Sequence, residues 1–327
     1  MIGRRQRGVA VVRSQRWRVR VGAILATTAA LVLTGCADQG SAPPPPVPGQ
    51  ADTSGYDAIV AGSPVADAAA IPAGSWADTI KQRGKLIRGG TDQGALFSLK
   101  DPATGKVTGF DAGLAAMLAH YITGKTDADA VELVATTVDT RETLIQNKTV
   151  DAVFATYTIT EPRAQKVAFA GPYYESGTSI MVKKDNTAIN SVNDLAGKNV
   201  ATEANSTAVL ALQQFAPQAK VLLFQDDASC VAALQQGRAD AYVLDEAILL
   251  SDASTNPVFK LVGQPFTKEP YGIGLPLDDP AAKQFVNDWL QKIYADGSWA
   301  KLWKATVGTV VSGDAPTPPT LGSVAGS

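Results

Sequence analysis

Apolar positions along this chain alternate between two patterns. Short β-type runs such as Val131–Val134, Val150–Ala155 and Ser179–Val182 are followed by stretches in which apolar residues recur every three or four positions, as at Leu114, Met117, Leu118 and Tyr121. An amphipathic helix from Trp76, with Ile80 on its apolar side, precedes a strand over Lys85–Arg88. Gly89 and Gly90 then let the backbone pass close to its neighbours, and Thr91-Asp92-Gln93-Gly94 forms a loop. Thr104-Gly105 marks a hairpin turn, Asp111 is placed to cap the next helix, and Thr140–Gln146 reads as another. The pattern restarts after residue 178. Strand Val200–Thr202 leads to a helix ending near Phe215, helix Ala228–Gln236 stops at Gly237, and strand Asp240–Asp245 leads into a helix from Glu246. Lys260–Val262, Glu269–Gly274, helix Ala281–Ala295 and a short helix to Lys304 follow. Two separate βα sets predict an α/β protein of two lobes, each built on a central sheet.

Chemistry concentrates between Ala155 and Gly177, at the end of an apolar strand. Thr158, Thr160 and Arg163 bring hydroxyls and a guanidinium together where a short helix starts, a combination suited to an anion. A surface turn with a solvated Arg is the plainer alternative.

The amino terminus reads differently. Residues 1–35 hold seven Arg and neither Lys nor acid, and the apolar run Val21–Leu33 is short for a membrane span, as in a secretory signal. Leu33-Thr34-Gly35-Cys36 fits a lipobox, with Cys36 the lipidated residue, although an ordinary cleavage site ahead of a Cys would look the same. Residues 36–75, with Pro43–Pro46, read as a tether. Beyond residue 35 there are 22 basic and 31 acidic residues, a formal charge of −9, which argues against nucleic acid as partner. Only five of those basic residues are Arg, the side chain suited to gripping a carboxylate: Arg83, Arg88, Arg141, Arg163 and Arg238. With Cys36 lipidated, Cys230 has no intrachain partner. A single His120 in an apolar helix supports neither a transition-metal site nor a catalytic triad, so neither cofactor nor metal is expected.

Thr158-Ile159-Thr160-Glu161-Pro162-Arg163, followed by Phe169-Ala170-Gly171-Pro172-Tyr173-Tyr174, resembles the polar amino-acid-binding lipoproteins of ABC importers. These form family 3 of the extracellular solute-binding proteins, of actinobacterial type, with the type II periplasmic-binding-protein fold, and the likeness runs from Trp76 to Gly308. It implies residues 76–172 with 272–308 as lobe 1, 178–266 as lobe 2, and a hinge at 173–177 and 267–271; residues 309–327, rich in Pro and Gly from Asp314 on and without an apolar pattern, read as a disordered tail. It also implies that Arg163 and Thr158 hold a ligand α-carboxylate and that Arg141 holds a far carboxylate. Asp245 would accept the α-ammonium, beside Asn205, Ser206 and Thr207 of lobe 2. Asp92, Gln93, Ala155, Thr156, Tyr157 and the hinge residue Tyr271 complete the implied site.

Plainer roles stand beside some of these. Arg141 could pair with Asp139 or Glu142, Asp245 could cap the helix at Glu246, and Ser206 or Thr207 could cap the helix that follows. Asn205 stands where relatives usually have Gly, and tolerates a left-handed backbone better than most residues. The resemblance implies Glu or Asp as ligand, with Gln or Asn as lesser ligands, although the acid of Asp92 pulls towards an amide. The expected partners are a free amino acid, ABC permease subunits and the membrane, reached through the lipid anchor by a monomer outside the cytoplasm. An amino-acid sensor acting on a membrane receptor is the alternative, and a dehydratase-type enzyme on the same fold a further one.

Overall fold

The computed structural model describes residues 53–327. The expected secretory segment, Cys36 and the first part of the expected tether lie outside the described residues.

Five strands form the sheet of lobe 1, in the order Val131–Ala135, Leu86–Gly90, Ala152–Val153, Glu269–Leu275 and Ala168–Ser176. The first three run parallel, and Glu269–Leu275 is antiparallel to both its neighbours. At Gly89 a Cβ would lie 2.8 Å from Val153 Cγ2, so the close passage read from the sequence is required by the sheet. The second sheet orders Lys220–Phe224, Asn199–Glu203, Ala241–Asp245, Thr178–Lys183 and Phe259–Val262, again mixed parallel and antiparallel. Each sheet has its own core. Phe110, Leu114, Trp289 and Trp299 lie at the centre of one, and Ile180, Val200, Leu212 and Val243 at the centre of the other.

Local chemistry sets the helix ends. Ser75 accepts the Asp78 N–H at 3.1 Å to cap helix Trp76–Arg83, which Gly84 ends in a left-handed conformation (φ 71°). Helix Phe110–Thr123 is capped differently from the expectation. Gly109 holds the cap position at φ 124°, where a Cβ would come within 2.4 Å of the Phe97 carbonyl carbon, and Asp111 falls inside the first turn, fully buried. The close approach of Phe97 leaves the cap position to glycine.

Ala168–Ser176 and Glu269–Leu275 are the crossings between the lobes, paired antiparallel with Tyr271 opposite Tyr174 and a register shift between Tyr271 and Ile273. Gly272 sits at that shift because a Cβ would lie 2.7 Å from Ile159 Cγ1. The space admits the segment Tyr157–Ile159, whose Ile159 N–H donates to Pro270 O at 2.8 Å while Gly272 N–H donates to Tyr157 O at 2.9 Å. The chain leading to Arg163 is thereby fixed to the hinge.

Both ends of the described chain are more ordered than their composition implies. Within the expected tether, helix Thr53–Ala61 and the turn Ala68–Ala70 lie on lobe 1, with Tyr56, Val60 and Ile71 buried and Tyr56 Oη donating to Gly109 O at 3.2 Å. Residues 314–327, expected to be disordered, are laid along lobe 1. Gly322 N–H donates to Gly171 O at 2.9 Å, Ala315 and Leu321 pack on one core cluster and Val324 on the cluster containing Ile159. Proline rules out helix or strand there, but it does not prevent docking through a few apolar side chains.

Candidate functional site

Between the lobes lies a cavity of about 390 Å³ at the carboxyl ends of the parallel strands, where open α/β sheets place ligands. Lobe 1 lines it with Asp92, Gln93, Phe97, Thr137, Arg141, Ala155, Thr156, Thr158 and Arg163. Lobe 2 adds Glu203, Ser206, Thr207, Gln225, Asp226, Asp227, Asp245 and Ser251.

Arg163 is held from both sides. Thr160 caps the short helix Glu161–Ala164 by accepting the Arg163 N–H, and Pro162 stands in the first turn, where a missing N–H costs nothing. Arg163 Nη1 donates to Thr158 O at 2.9 Å, and Nη2 reaches Asn205 O, in the other lobe, at 3.4 Å. Arg141 is 5% exposed and donates from Nη1 to Ala155 O at 3.1 Å, leaving its buried Nε without a partner among the described residues. Neither neighbouring acid takes Arg141. Asp139 accepts from Asn205 Nδ2 across the cleft, and Glu142 binds Lys166 at 2.8 Å. Burial, and then the charge of Arg163, lower the Arg141 pKa to about 10.

Tyr157 and Tyr271, both implied as ligand contacts, lie beneath the cavity wall, fully buried. The guanidinium carbons of Arg141 and Arg163 stand 3.8 and 5.3 Å from the centroid of the Tyr157 ring, which gives them a shared cation–π floor. The Tyr271 hydroxyl donates to Asp245 Oδ2 at 2.8 Å. Asn205 adopts φ 60°, the left-handed conformation its place in the loop implies, and gives its carbonyl to Arg163 without lining the cavity. Size and shape keep these three out of the cavity wall: the rings fill space behind it, and the Asn205 side chain turns to Asp139.

Ser206 and Asp245 occupy helix cap positions, but neither side chain caps. Ser206 Oγ donates to Glu203 O at 2.7 Å, which leaves the first turn of helix Thr207–Phe215 without a side-chain acceptor. Asp245 is 5% exposed, and burial, with Glu269 beside it, pushes its carboxyl up to about 7.

A second set of acids, which nothing in the local sequence singles out, stands at the lobe 2 wall. Glu203 ends its strand at the cavity, and burial followed by the charge of Asp227 pushes its carboxyl up to about 8. Asp227, bonded by the Tyr242 hydroxyl at 2.8 Å, faces Asp252, and burial raises both. Thr156 lines the floor at φ 43°, unusual for a β-branched residue, with its N–H donated to Asp111 Oδ2 at 2.8 Å. Across the cleft Leu96 N–H donates to Ser251 Oγ at 3.1 Å. Together with the Asn205 contacts it draws the two walls together.

A family described as bacterial extracellular solute-binding proteins, family 3, matches residues 87–308. Among curated relatives, the ABC transporter glutamine-binding protein GlnH of Bacillus subtilis (strain 168) is 37% identical over 226 residues, covering 69% of this chain and 82% of that protein. A glutamine-binding protein of Geobacillus stearothermophilus is 42% identical over 198 residues, covering 60% of this chain and 74% of that one. Among solved structures, an ancestral arginine-binding protein bound to glutamine is 33% identical with a TM-score of 0.63, over 69% of this chain and 99% of that chain.

Proposed function

The chain belongs to the bacterial extracellular solute-binding proteins of family 3, and from that premise we propose that it captures a polar α-amino acid, glutamine ahead of glutamate, for an ABC importer. One observation carries the reading: Arg163 of lobe 1 and Asp245 of lobe 2 line the same cavity. An amino-acid zwitterion needs a guanidinium for its carboxylate and a carboxylate for its ammonium, and here the two come from opposite walls. A ligand that satisfies both holds the lobes shut, which is the differential binding that closure requires.

The rest of the lining supports a ranking of side chains. Two Arg face five acids, Asp92, Glu203, Asp226, Asp227 and Asp245. A second ligand carboxylate enters that surplus unfavourably, whereas an amide offers a carbonyl to Arg141 and N–H donors to the acids. The resemblance implies the acidic amino acids through Arg141, and Glu203 plays no part in that expectation. The glutamine-binding names of the two bacterial relatives point the same way.

Delivery to permease subunits, anchoring through diacylated Cys36 and action as a monomer outside the cytoplasm belong to the same proposal. Calorimetric titration of the purified protein with each of the twenty amino acids tests it. Glutamine is expected to bind most tightly, and absence of binding by any α-amino acid would overturn the reading. Loss of fatty-acid labelling in Cys36→Ser tests the anchor.

A further inference from the structure

Glu203 presents its carboxyl to the cavity with no hydrogen-bond or ion-pair partner among the described residues, whereas the other acids of lobe 2 that reach inward are tied to neighbours. Asp245 is held by Tyr271, and Asp227 by Tyr242. The groups facing Glu203 come from several elements. Arg141 projects from lobe 1, Asp245 from the adjacent strand, and Asp226 and Asp227 from the start of helix Asp227–Gln235. Behind them Cys230, Tyr242 and Asp252 complete the surroundings. One cation against four acids in a buried place favours a protonated carboxyl, and the group is pushed up to about 8.

Arg141, which lines the same cavity, supplies the complement from the lobe 1 wall. Its donors can serve a side-chain oxygen of either glutamine or glutamate. The two ligands differ at the neighbouring atom, a donating amide nitrogen in one and an accepting oxygen in the other.

We propose that Glu203 is the specificity-determining residue at this end of the cavity and discriminates amide from carboxylate through its own protonation. Protonated, it donates its hydrogen to a ligand carboxylate; in either state it offers an oxygen to an amide N–H; ionised, it repels the carboxylate. Glutamate therefore binds only with a proton on Glu203, taken from solvent when the pH is high, and glutamine binds without that requirement. The inference deepens the function proposed above and rests on it.

The test is calorimetry with glutamine and with glutamate from about pH 6 to about pH 9. Protonation of Asp245 and of the ligand ammonium affects both ligands alike, so it cancels in the ratio of their Kd values. That ratio is expected to be nearly flat below about pH 7 and to rise about tenfold per pH unit above about pH 8, in favour of glutamine. In Glu203→Gln, which keeps one donor and one acceptor, the ratio is expected to stay flat. A second measurement needs no variant: titrations in buffers of different ionisation enthalpy should show about one more proton taken up with glutamate than with glutamine near pH 9. A flat ratio in the unmodified protein, equal proton uptake, or a pH-dependent ratio that persists in Glu203→Gln would overturn the inference while leaving an amino-acid site. Binding of neither ligand at any pH would overturn the proposed function, and this inference with it.

Discussion

Tyr271 Oη donates to Asp245 Oδ2 at 2.8 Å, tying a crossing strand of the hinge to the lobe 2 acid at the cavity wall. The acid is buried beside Glu269, whose Oε1 takes hydroxyls from Thr178 and Thr267 and whose Oε2 has no partner among the described residues. Burial and that neighbour raise the Asp245 carboxyl to about 7, and the Tyr271 bond acts in the opposite sense. The hinge tyrosine thus orients Asp245 and supports its ionised form, the form that receives an ammonium.

Tyr271→Phe removes the hydroxyl and keeps the ring, which stacks on Tyr174 with centroids 5.5 Å apart. The bond exists without ligand and contributes about 1.5–3 kcal/mol, so Tm is expected to fall, and affinity for the amino acid to drop about tenfold because the ionised Asp245 loses its support. Calorimetry and a thermal melt on the same sample check both halves. An unchanged Kd would mean that Asp245 does not hold the ligand ammonium.

Arg163→Lys keeps the charge and discards the fork. The guanidinium spends Nη1 on Thr158 O and Nη2 on Asn205 O while facing the cavity, and a single ammonium cannot reproduce that spread. A loss of about 2–4 kcal/mol, roughly thirtyfold to a thousandfold in Kd, is expected for every amino acid that binds, whatever its side chain. Arg141→Lys is expected instead to alter the ranking among side chains. If the two variants exchanged these effects, the carboxylate roles assigned to the two arginines would be reversed.

Proton linkage gives the ligand-free protein an unusual pH profile. Asp111, Asp245 and Glu203 are raised to about 6, 7 and 8, chiefly by burial, above the values near 4 that such carboxyls have in an unfolded chain. Between those limits the folded state holds protons that the unfolded state has released, so stability is greater on the acid side and declines as pH rises. His120, whose pKa burial lowers, contributes with the opposite sign below its ordinary value, which leaves about pH 6.5–8 as the cleanest window. Tm of the ligand-free protein is expected to fall across that window, and less steeply in Asp245→Asn or Glu203→Gln. A Tm that climbs with pH there would contradict the raised values.

The contrast between Arg163 and Glu203 shows what a sequence discloses. Arg163 stands in a run whose capping Thr160 and Pro162 also set the local backbone, so neighbours in the chain carry the information. Asn205 was legible for the same reason, because a left-handed turn before a helix narrows the residues that fit. Glu203 resembles any acid at a strand end. Its character comes from Arg141, Asp227 and Asp245, which only the fold brings near. The alternation that predicts two sheets is likewise local. It passes over strand Lys220–Phe224, an edge strand whose Leu223 is 57% exposed and whose side chains lack a clear inner and outer face. Docking of residues 314–327 rests on isolated contacts such as Leu321 and Val324, which leave no periodic signature.

Asp111 joins three elements that must agree for the cavity floor to form. From helix Phe110–Thr123 its Oδ2 accepts the Thr156 N–H at 2.8 Å and its Oδ1 accepts the Tyr173 hydroxyl at 2.7 Å, with Arg88 close by. Thr156 is the residue in need of support, because a β-branched side chain at φ 43° costs about 1–3 kcal/mol unless its surroundings impose that conformation. In Asp111→Asn the amide oxygen can still serve Thr156, but the NH2 group meets the Tyr173 hydroxyl, which must turn from donor to acceptor, and the charge-assisted bonds are lost. About 3 kcal/mol of stability is expected to go with them, together with weaker ligand binding as the floor relaxes. If Asp111 acts by holding Thr156, adding Thr156→Gly to Asp111→Asn should recover part of the stability, since glycine adopts positive φ freely. Urea melts of the two single variants, the double variant and the parent measure that coupling. Strictly additive losses would show that Asp111 supports the core without setting the cavity floor.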